Sequence, residues 1–231
     1  MKGAKRITPE RERLEDWSPS LVKARLYSAI LIDILTGRLA PGQRLDEKAL
    51  AAGYGGGLTG SGLAGIREAL ARLALEGLVV RRARVGTMVA PLDPDDARDA
   101  FAARALIETE CAGLAARHAT KAEVDAIHAT LEVGEAAIVR NDTNALAAMD
   151  EAFHLAVARA THNRTLAKLV MSLHHATVRF WLVSEGTPSL AENRAALAQH
   201  RALADAIAAG DVARAQIAMR AALGEFPESS P

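Results

Sequence analysis

Residues 66–90, IREALARLALEGLVVRRARVGTMVA, constrain the fold more than any other stretch of the chain. Ile66, Ala69, Leu70, Leu73 and Leu78 recur at helical spacing, with Arg67 and Arg72 on the other side. The pattern predicts a helix with one apolar stripe and one cationic face. Gly77 reads as a helix stop. Beyond it Leu78-Val79-Val80 and Thr87-Met88-Val89 have strand character, with Arg81, Arg82, Arg84 and Gly86 at the turn between them. A helix followed by a basic hairpin is the outline of a winged DNA-binding unit. Arginines on a solvated helix face are common without any nucleic-acid partner, so spacing alone does not settle the function.

The charge distribution adds to it. The 231 residues carry 28 Lys+Arg and 28 Asp+Glu, a net charge of zero. Residues 1–92 nevertheless hold 15 basic against 9 acidic side chains, +6, which leaves 13 against 19, −6, for the rest. A basic front and an acidic back suggest two jobs. Half the residues are hydrophobic and only 3% aromatic, an excess of alanine and leucine that favours helix over sheet. The single cysteine, Cys111, cannot form an internal disulfide and lies in an alanine-rich run, which reads as a small buried hydrophobe in a reducing cytoplasm. The charged N-terminus has no apolar signal-peptide core, and no apolar run reaches the ~18 residues of a membrane span. The expectation is a cytoplasmic protein with no membrane partner.

Punctuation divides the chain. Residues 1–17 read as a disordered polar arm, 18–90 as a winged helix-turn-helix of three helices and a small β-hairpin, and 91–94 (PLDP) as a linker. Residues 95–226 read as an all-α antiparallel bundle, with 227–231 a tail. The fold class is therefore mainly α. In the bundle, helices are expected to end near His118, Arg140, Thr161, Glu185, Ala209 and Gly224, with a capping box at Thr120 and Glu123 and a break at Gly186-Thr187-Pro188-Ser189. Six such helices can enclose a cavity.

The segment from Ile66 to Val89 resembles the recognition helix and wing of the GntR family of bacterial transcriptional regulators. Gly37 with Leu39, Pro41, Gly42 and Leu45 matches the connection that this family places between its first two helices. The resemblance implies DNA contact by Lys48, Arg67, Arg72, Arg81, Arg82, Arg84 and Gly86: phosphate contacts give affinity, an arginine fork can read guanine, and a glycine lets the wing backbone approach the minor groove. Glu68 is expected to orient an arginine or form a helix pair. The chain departs from the family at 53–65, GYGGGLTGSGLAG, where the usual pattern is a tight turn followed by Ser-Arg-Thr-Pro-Val-Arg-Glu-Ala-Leu. The interval is longer by about five residues, Leu63 stands where an arginine is usual, and the glycines read as a flexible loop. Without a following lysine or a preceding strand it is not a phosphate-binding loop.

The back half resembles the FadR-like subgroup of that family, with its FCD-type C-terminal domain. The strings that carry this are Asp150…His154, His200 with Ala206-Ile207 and Gly210-Asp211, Arg104…Glu108, and Thr161-His162-Asn163. Asp150 and His154 stand four residues apart on one helix face and can share an ion. Many members of the subgroup bind a divalent metal through an aspartate and three histidines. Those positions map here onto Asp150, His154, His200 and 222, which is Ala222. One ligand is missing, and no spacing argument points His174 or His175 inward. Three ligands can still hold Zn²⁺, Ni²⁺ or Mn²⁺ and leave room for a carboxylate effector, which Arg104 could pair bidentately. The plainer reading of Arg104 is a water-exposed helix pair with Glu108. His118, His128 and His162 read as surface or capping residues.

The expectation is a ligand-responsive, DNA-binding transcriptional regulator, not an enzyme, working as a homodimer on a double-stranded operator with a small organic acid as effector. The alternatives are a metal-dependent enzyme or a non-DNA-binding small-molecule sensor built on the helical half.

Overall fold

The computed structural model describes residues 19–54, 61–184, 186 and 188–226. The polar arm, the tail and residues 55–60 of the glycine-rich interval lie outside them. Among the described residues the regular structure is helical apart from one hairpin, and the chain divides between Pro91 and Leu92 into two compact units.

The first unit comprises α1 (Pro19–Leu35), α2 (Glu47–Tyr54), α3 (Ser61–Leu75), β1 (Val79–Arg82) and β2 (Gly86–Val89). Its core takes Leu26, Ile30 and Ile34 from α1, Leu50 from α2, Ile66, Leu70 and Leu73 from α3, and Leu78, Val79 and Val89 from the hairpin. The apolar stripe of residues 66–78 is thus the face that is buried. Gly37 and Gly77 end α1 and α3 with φ near +75° (74° and 78°), which folds the amides of Leu39 and Leu78 back onto Asp33 and Leu73 carbonyls at 2.8 and 2.9 Å. The strands pair antiparallel with Val79 opposite Val89 and Arg82 opposite Gly86. Residues 43–45 lie along β2, with Leu45 donating to Thr87 O and Val89 to Gln43 O, each at 2.9 Å.

The glycine-rich interval is not one loop. Gly53 and Tyr54 finish α2, where Tyr54 donates its hydroxyl hydrogen to Asp33 of α1, and Ser61–Gly65 form the first turn of α3. Gly65 is there for space: a Cβ on it would stand 2.7 Å from Leu26 Cδ1. Close packing of α1 on α3 overrides the poor helix propensity of glycine. The first strand also runs further than its apolar residues suggest, so Arg81 and Arg82 lie in β1 rather than at the turn.

Among its described residues the second unit holds six helices: α4 (Pro94–His118), α5 (Lys121–Arg140), α6 (Thr143–Arg159), α7 (Arg164–Ser184), α8 (Leu190–Ala208) and α9 (Val212–Leu223). Polar caps start all six, with Asn163 accepting from the amides of Thr165 and Leu166 at the head of α7. Asp93, Asp142 and Asp211 accept hydrogen bonds from first-turn amides, and Thr120–Glu123 and Ser189–Glu192 form capping boxes. The core is aliphatic around Phe153, with Ile127, Leu131, Val157, Leu203, Ile207 and Met219. Cys111 is buried against Ala158 and Val170, and burial, with Glu108 and Glu110 nearby, pushes its thiol up to about 12. Among the described residues no helix is long and apolar enough to cross a membrane.

Candidate DNA-binding surface and metal centre

In the first unit the structure separates the two arginines of α3. Five residues along a helix is a rotation of about 140°, so one neighbouring element cannot engage both. Arg67 is exposed and its Nε reaches Glu47 Oε2 of α2 at 2.7 Å, next to exposed Lys48. Arg72 turns toward α1: its guanidinium lies 3.7 Å from the centre of the Tyr27 ring, Nε meets Glu76 Oε1 at 3.0 Å, and Tyr27 donates its hydroxyl hydrogen to Glu76 Oε2 at 2.6 Å. Arg72 therefore has a packing role of its own. Glu68 pairs not within its own helix but across to α1, 2.6 Å from Lys23 Nζ.

On the hairpin Arg81, Arg82, Arg84 and Gly86 are all exposed, with Arg84 and Gly86 at φ 65° and 103°. An L side chain at 86 would be strained, and its Cβ would come within 3.7 Å of Arg44 Nε. Arg44 is an exposed fourth cation at the wing, bridged to Met88, that reading the sequence missed. Its only signal was its place next to Leu45 in the turn before α2.

In the second unit α6 supplies Asp150 and His154 and α8 supplies His200. His200 Nε2 lies 3.3 Å from both Asp150 Oδ1 and His154 Nε2, and Asp150 Oδ1 lies 3.8 Å from His154 Nε2. Two ligands on one tetrahedral ion, each about 2.1 Å from it, stand about 3.4 Å apart. The three donors have that spacing. The histidines are buried and the aspartate partly so. Burial lowers the pKa of His200 to about 4, the Asp150 charge opposing it, so the ring is neutral and able to coordinate at physiological pH.

Behind the donors is a second layer. Glu108 of α4 is sealed from solvent. Burial alone would raise its carboxyl, but His154 and Arg104 hold it well below the usual carboxylate range. One of its oxygens engages His154 Nδ1, and the other accepts from Arg104 Nε at 2.5 Å. Arg104 is therefore not in a water-exposed helix pair; both partners are buried. Its Nη1 donates to Thr177 Oγ1 at 3.0 Å and its Nη2 to His174 Nδ1 at 3.2 Å. His174 is turned inward, with Nε2 3.9 Å from Asp150 Oδ2, while His175 faces Glu151 at 3.6 Å. Spacing marked Glu108 only as the helix partner of Arg104, and did not mark His174 at all.

A cavity of about 490 Å³ opens beside the donors, lined by Arg104, Asp150 and His154 on its polar side and by Val178, Trp181, Leu182 and Leu223 on its apolar side. Glu192 and Asn193 add polar groups, and Ala222 contributes wall without a donor. His162 pairs with Glu123 at 3.1 Å and His128 lies 4.0 Å from Asp205, both away from the cavity.

Residues 22–89 match the family of bacterial regulatory proteins of the gntR type, and residues 99–225 match the FCD domain. A protein of Escherichia coli K12, named as a candidate regulator of the L-lactate dehydrogenase operon, is 34% identical over 185 residues, 68% of each chain. An HTH-type transcriptional regulator of Streptomyces ambofaciens is 33% identical over 205 residues, 84% of this chain and 79% of that one. Among solved structures, the E. coli protein McbR/YncC superposes with a TM-score of 0.72 at 18% identity, over 87% of this chain and 93% of the other. A GntR-type regulator of Rhodococcus sp. RHA1 gives 0.67 at 21%, over 87% and 93%. At those identities the structures speak for the fold alone.

Proposed function

The chain belongs to the GntR family of bacterial transcriptional regulators, with an FCD domain behind its winged helix-turn-helix, and from that premise we propose how its two units work. It is a ligand-responsive DNA-binding regulator of a metabolic operon and not an enzyme. Within the family it sits in the FadR-like subgroup and acts in the cytoplasm as a homodimer. Two heads spaced about one helical turn of DNA apart read a short pseudo-palindrome. Arg67 and Lys48 enter the major groove, Arg67 leaving Glu47 for a base edge. Arg81, Arg82, Arg84 and Gly86 bring the wing to the adjacent backbone, and Arg72 contributes to the cationic face while holding α1.

The sensor is the cavity of the second unit. Asp150, His154 and His200 hold one divalent ion of the Zn²⁺, Ni²⁺ or Mn²⁺ type, and the coordination position that Ala222 leaves without a donor faces the cavity. When bound, the ion supplies a Lewis-acid anchor for an anionic oxygen. The effector is a small organic acid. Among the described residues three of the five N–H groups of Arg104 are engaged, which leaves two for the effector's carboxylate at the cavity wall. The observation that carries this reading is the spacing of three donors, 3.3 to 3.8 Å apart, two of which, Asp150 and His154, line a cavity that also holds a buried arginine. The named operon of the E. coli relative makes L-lactate the first acid to try.

Metal-loaded protein is titrated with L-lactate, and with other small carboxylates in parallel, while its anisotropy on operator DNA is followed. At least one acid should shift operator affinity in the Zn²⁺-loaded protein and have no effect after chelation or in His154→Ala. Equal responses with and without metal would remove the metal from the sensing reading. By linkage, the DNA must alter acid affinity by the same factor.

A further inference from the structure

One arginine reaches two of the three metal donors through two relays. On one arm, Arg104 Nε donates to Glu108 Oε1 at 2.5 Å, and the other oxygen of Glu108 engages His154 Nδ1. On the other arm, Arg104 Nη2 lies 3.2 Å from His174 Nδ1, and His174 Nε2 lies 3.9 Å from Asp150 Oδ2. The relays set opposite protons. An ionised carboxylate only accepts, so His154 carries its hydrogen on Nδ1 and turns a lone pair on Nε2 toward the ion position. A guanidinium only donates, so His174 Nδ1 is an acceptor and the neutral ring carries its hydrogen on Nε2. That nitrogen is buried and has no hydrogen-bond partner among the described residues. With a hydrogen in place of its lone pair it cannot coordinate an ion.

We infer that His174 does not replace the ligand missing at Ala222 but is a positioning residue, whose Nε2–H takes hold of the Asp150 oxygen turned away from the ion, with Arg104 orienting both relays. The inference rests on the metal reading proposed above. Moving from 3.9 Å to hydrogen-bonding distance, about 2.9 Å, asks for a shift of about 1 Å. Asp150 can make it, because its side chain is only partly buried. A ligating carboxylate held by a second residue is the usual second layer of a metal site, and losing such a partner weakens metal binding by roughly 10- to 100-fold. The consequence is an open site: three protein ligands, with the remaining position turned to the cavity rather than closed by a fourth histidine.

The deciding experiment is a long-range ¹H–¹⁵N correlation of the histidine rings in the full Zn²⁺-loaded chain. His154 and His200 should show metal-bound Nε2, and His174 the neutral pattern with hydrogen on Nε2. A metal-bound Nε2 at His174 overturns the inference and leaves the metal reading standing. Competition with a chromophoric chelator adds a second readout in His174→Gln and His174→Leu. Gln can accept from Arg104 and donate to Asp150, so it should retain Zn²⁺ affinity within about threefold, while Leu should lose about tenfold or more. Equal loss in both variants, or loss in neither, contradicts the positioning role; if the Leu variant does not fold, the ring pattern and the Gln variant still decide. A wild-type chain that takes up no Zn²⁺ overturns the metal reading and this inference together.

Discussion

Arg67 and Arg104 each pair with a glutamate, at 2.7 and 2.5 Å, and the resemblance ends there. The Arg67–Glu47 pair stands in solvent between α2 and α3. Water and salt screen it, so it is worth about 0–1 kcal/mol and can be exchanged for a DNA base or phosphate at little cost. The Arg104–Glu108 pair is sealed in the bundle and carries His154, Thr177 and His174 with it. Taking one member away strands a charge in a low-dielectric interior. Exposure, not residue type, decides which arginine is free to exchange partners and which has to stay fixed.

The contrast is sharpest in stability. Arg104→Leu should lower the free energy of unfolding by roughly 3–5 kcal/mol in a urea titration, whereas Arg67→Leu should change it by less than about 1 kcal/mol. Similar losses in the two variants would break the contrast. Chelation comes next. At metal concentrations near 100 times the Kd, a site present only in the folded protein adds ~2.7 kcal/mol, so EDTA should lower the thermal midpoint of the wild type and leave that of His200→Ala unmoved. For DNA the ranking of the arginines reverses: Arg67→Ala should weaken specific operator binding by ~1–3 kcal/mol, and unchanged affinity would contradict the assigned docking. Arg72→Met should give the smallest change, roughly 0.5–1 kcal/mol of stability from the lost contact over Tyr27, with a smaller loss of operator affinity than Arg67→Ala. If Arg72→Met weakens DNA binding more than Arg67→Ala does, the two flanks of α3 have been assigned the wrong way round.

What could be read from the sequence followed from local periodicity. The stripe Ile66, Leu70, Leu73 is the buried face of α3, and the capping box at Thr120 and Glu123 starts α5. Asp150 and His154, one helical turn apart, come within reach of a single ion with His200. What could not be read depends on contacts between distant segments. An Arg/Glu pair at i,i+4 looks the same in sequence whether it faces water or a cavity, and the partners that settle it, His174 and Thr177, are 70 and 73 residues away. Neighbouring His174 and His175 are both buried but face different carboxylates of α6, Asp150 and Glu151, and only the position of α7 says which of them meets the metal donors. The glycines of 53–65 look like one loop because glycine disfavours helix, yet Gly65 lies in α3, where Leu26 of α1 would have to shift to admit a Cβ. Arg72 shares the cationic spacing of Arg67, and nothing local in the sequence places Tyr27 beneath it.

Fluorescence anisotropy of the purified chain on duplex DNA from beside its own gene, at two salt concentrations and against a scrambled duplex, tests the central claim most directly. Tighter binding to the native duplex, falling steeply as salt rises and lost in Arg67→Ala, is the predicted result, because several exposed arginines then replace counterions on phosphate while one reads a base. Equal and weak binding to both duplexes at both salt concentrations would contradict it.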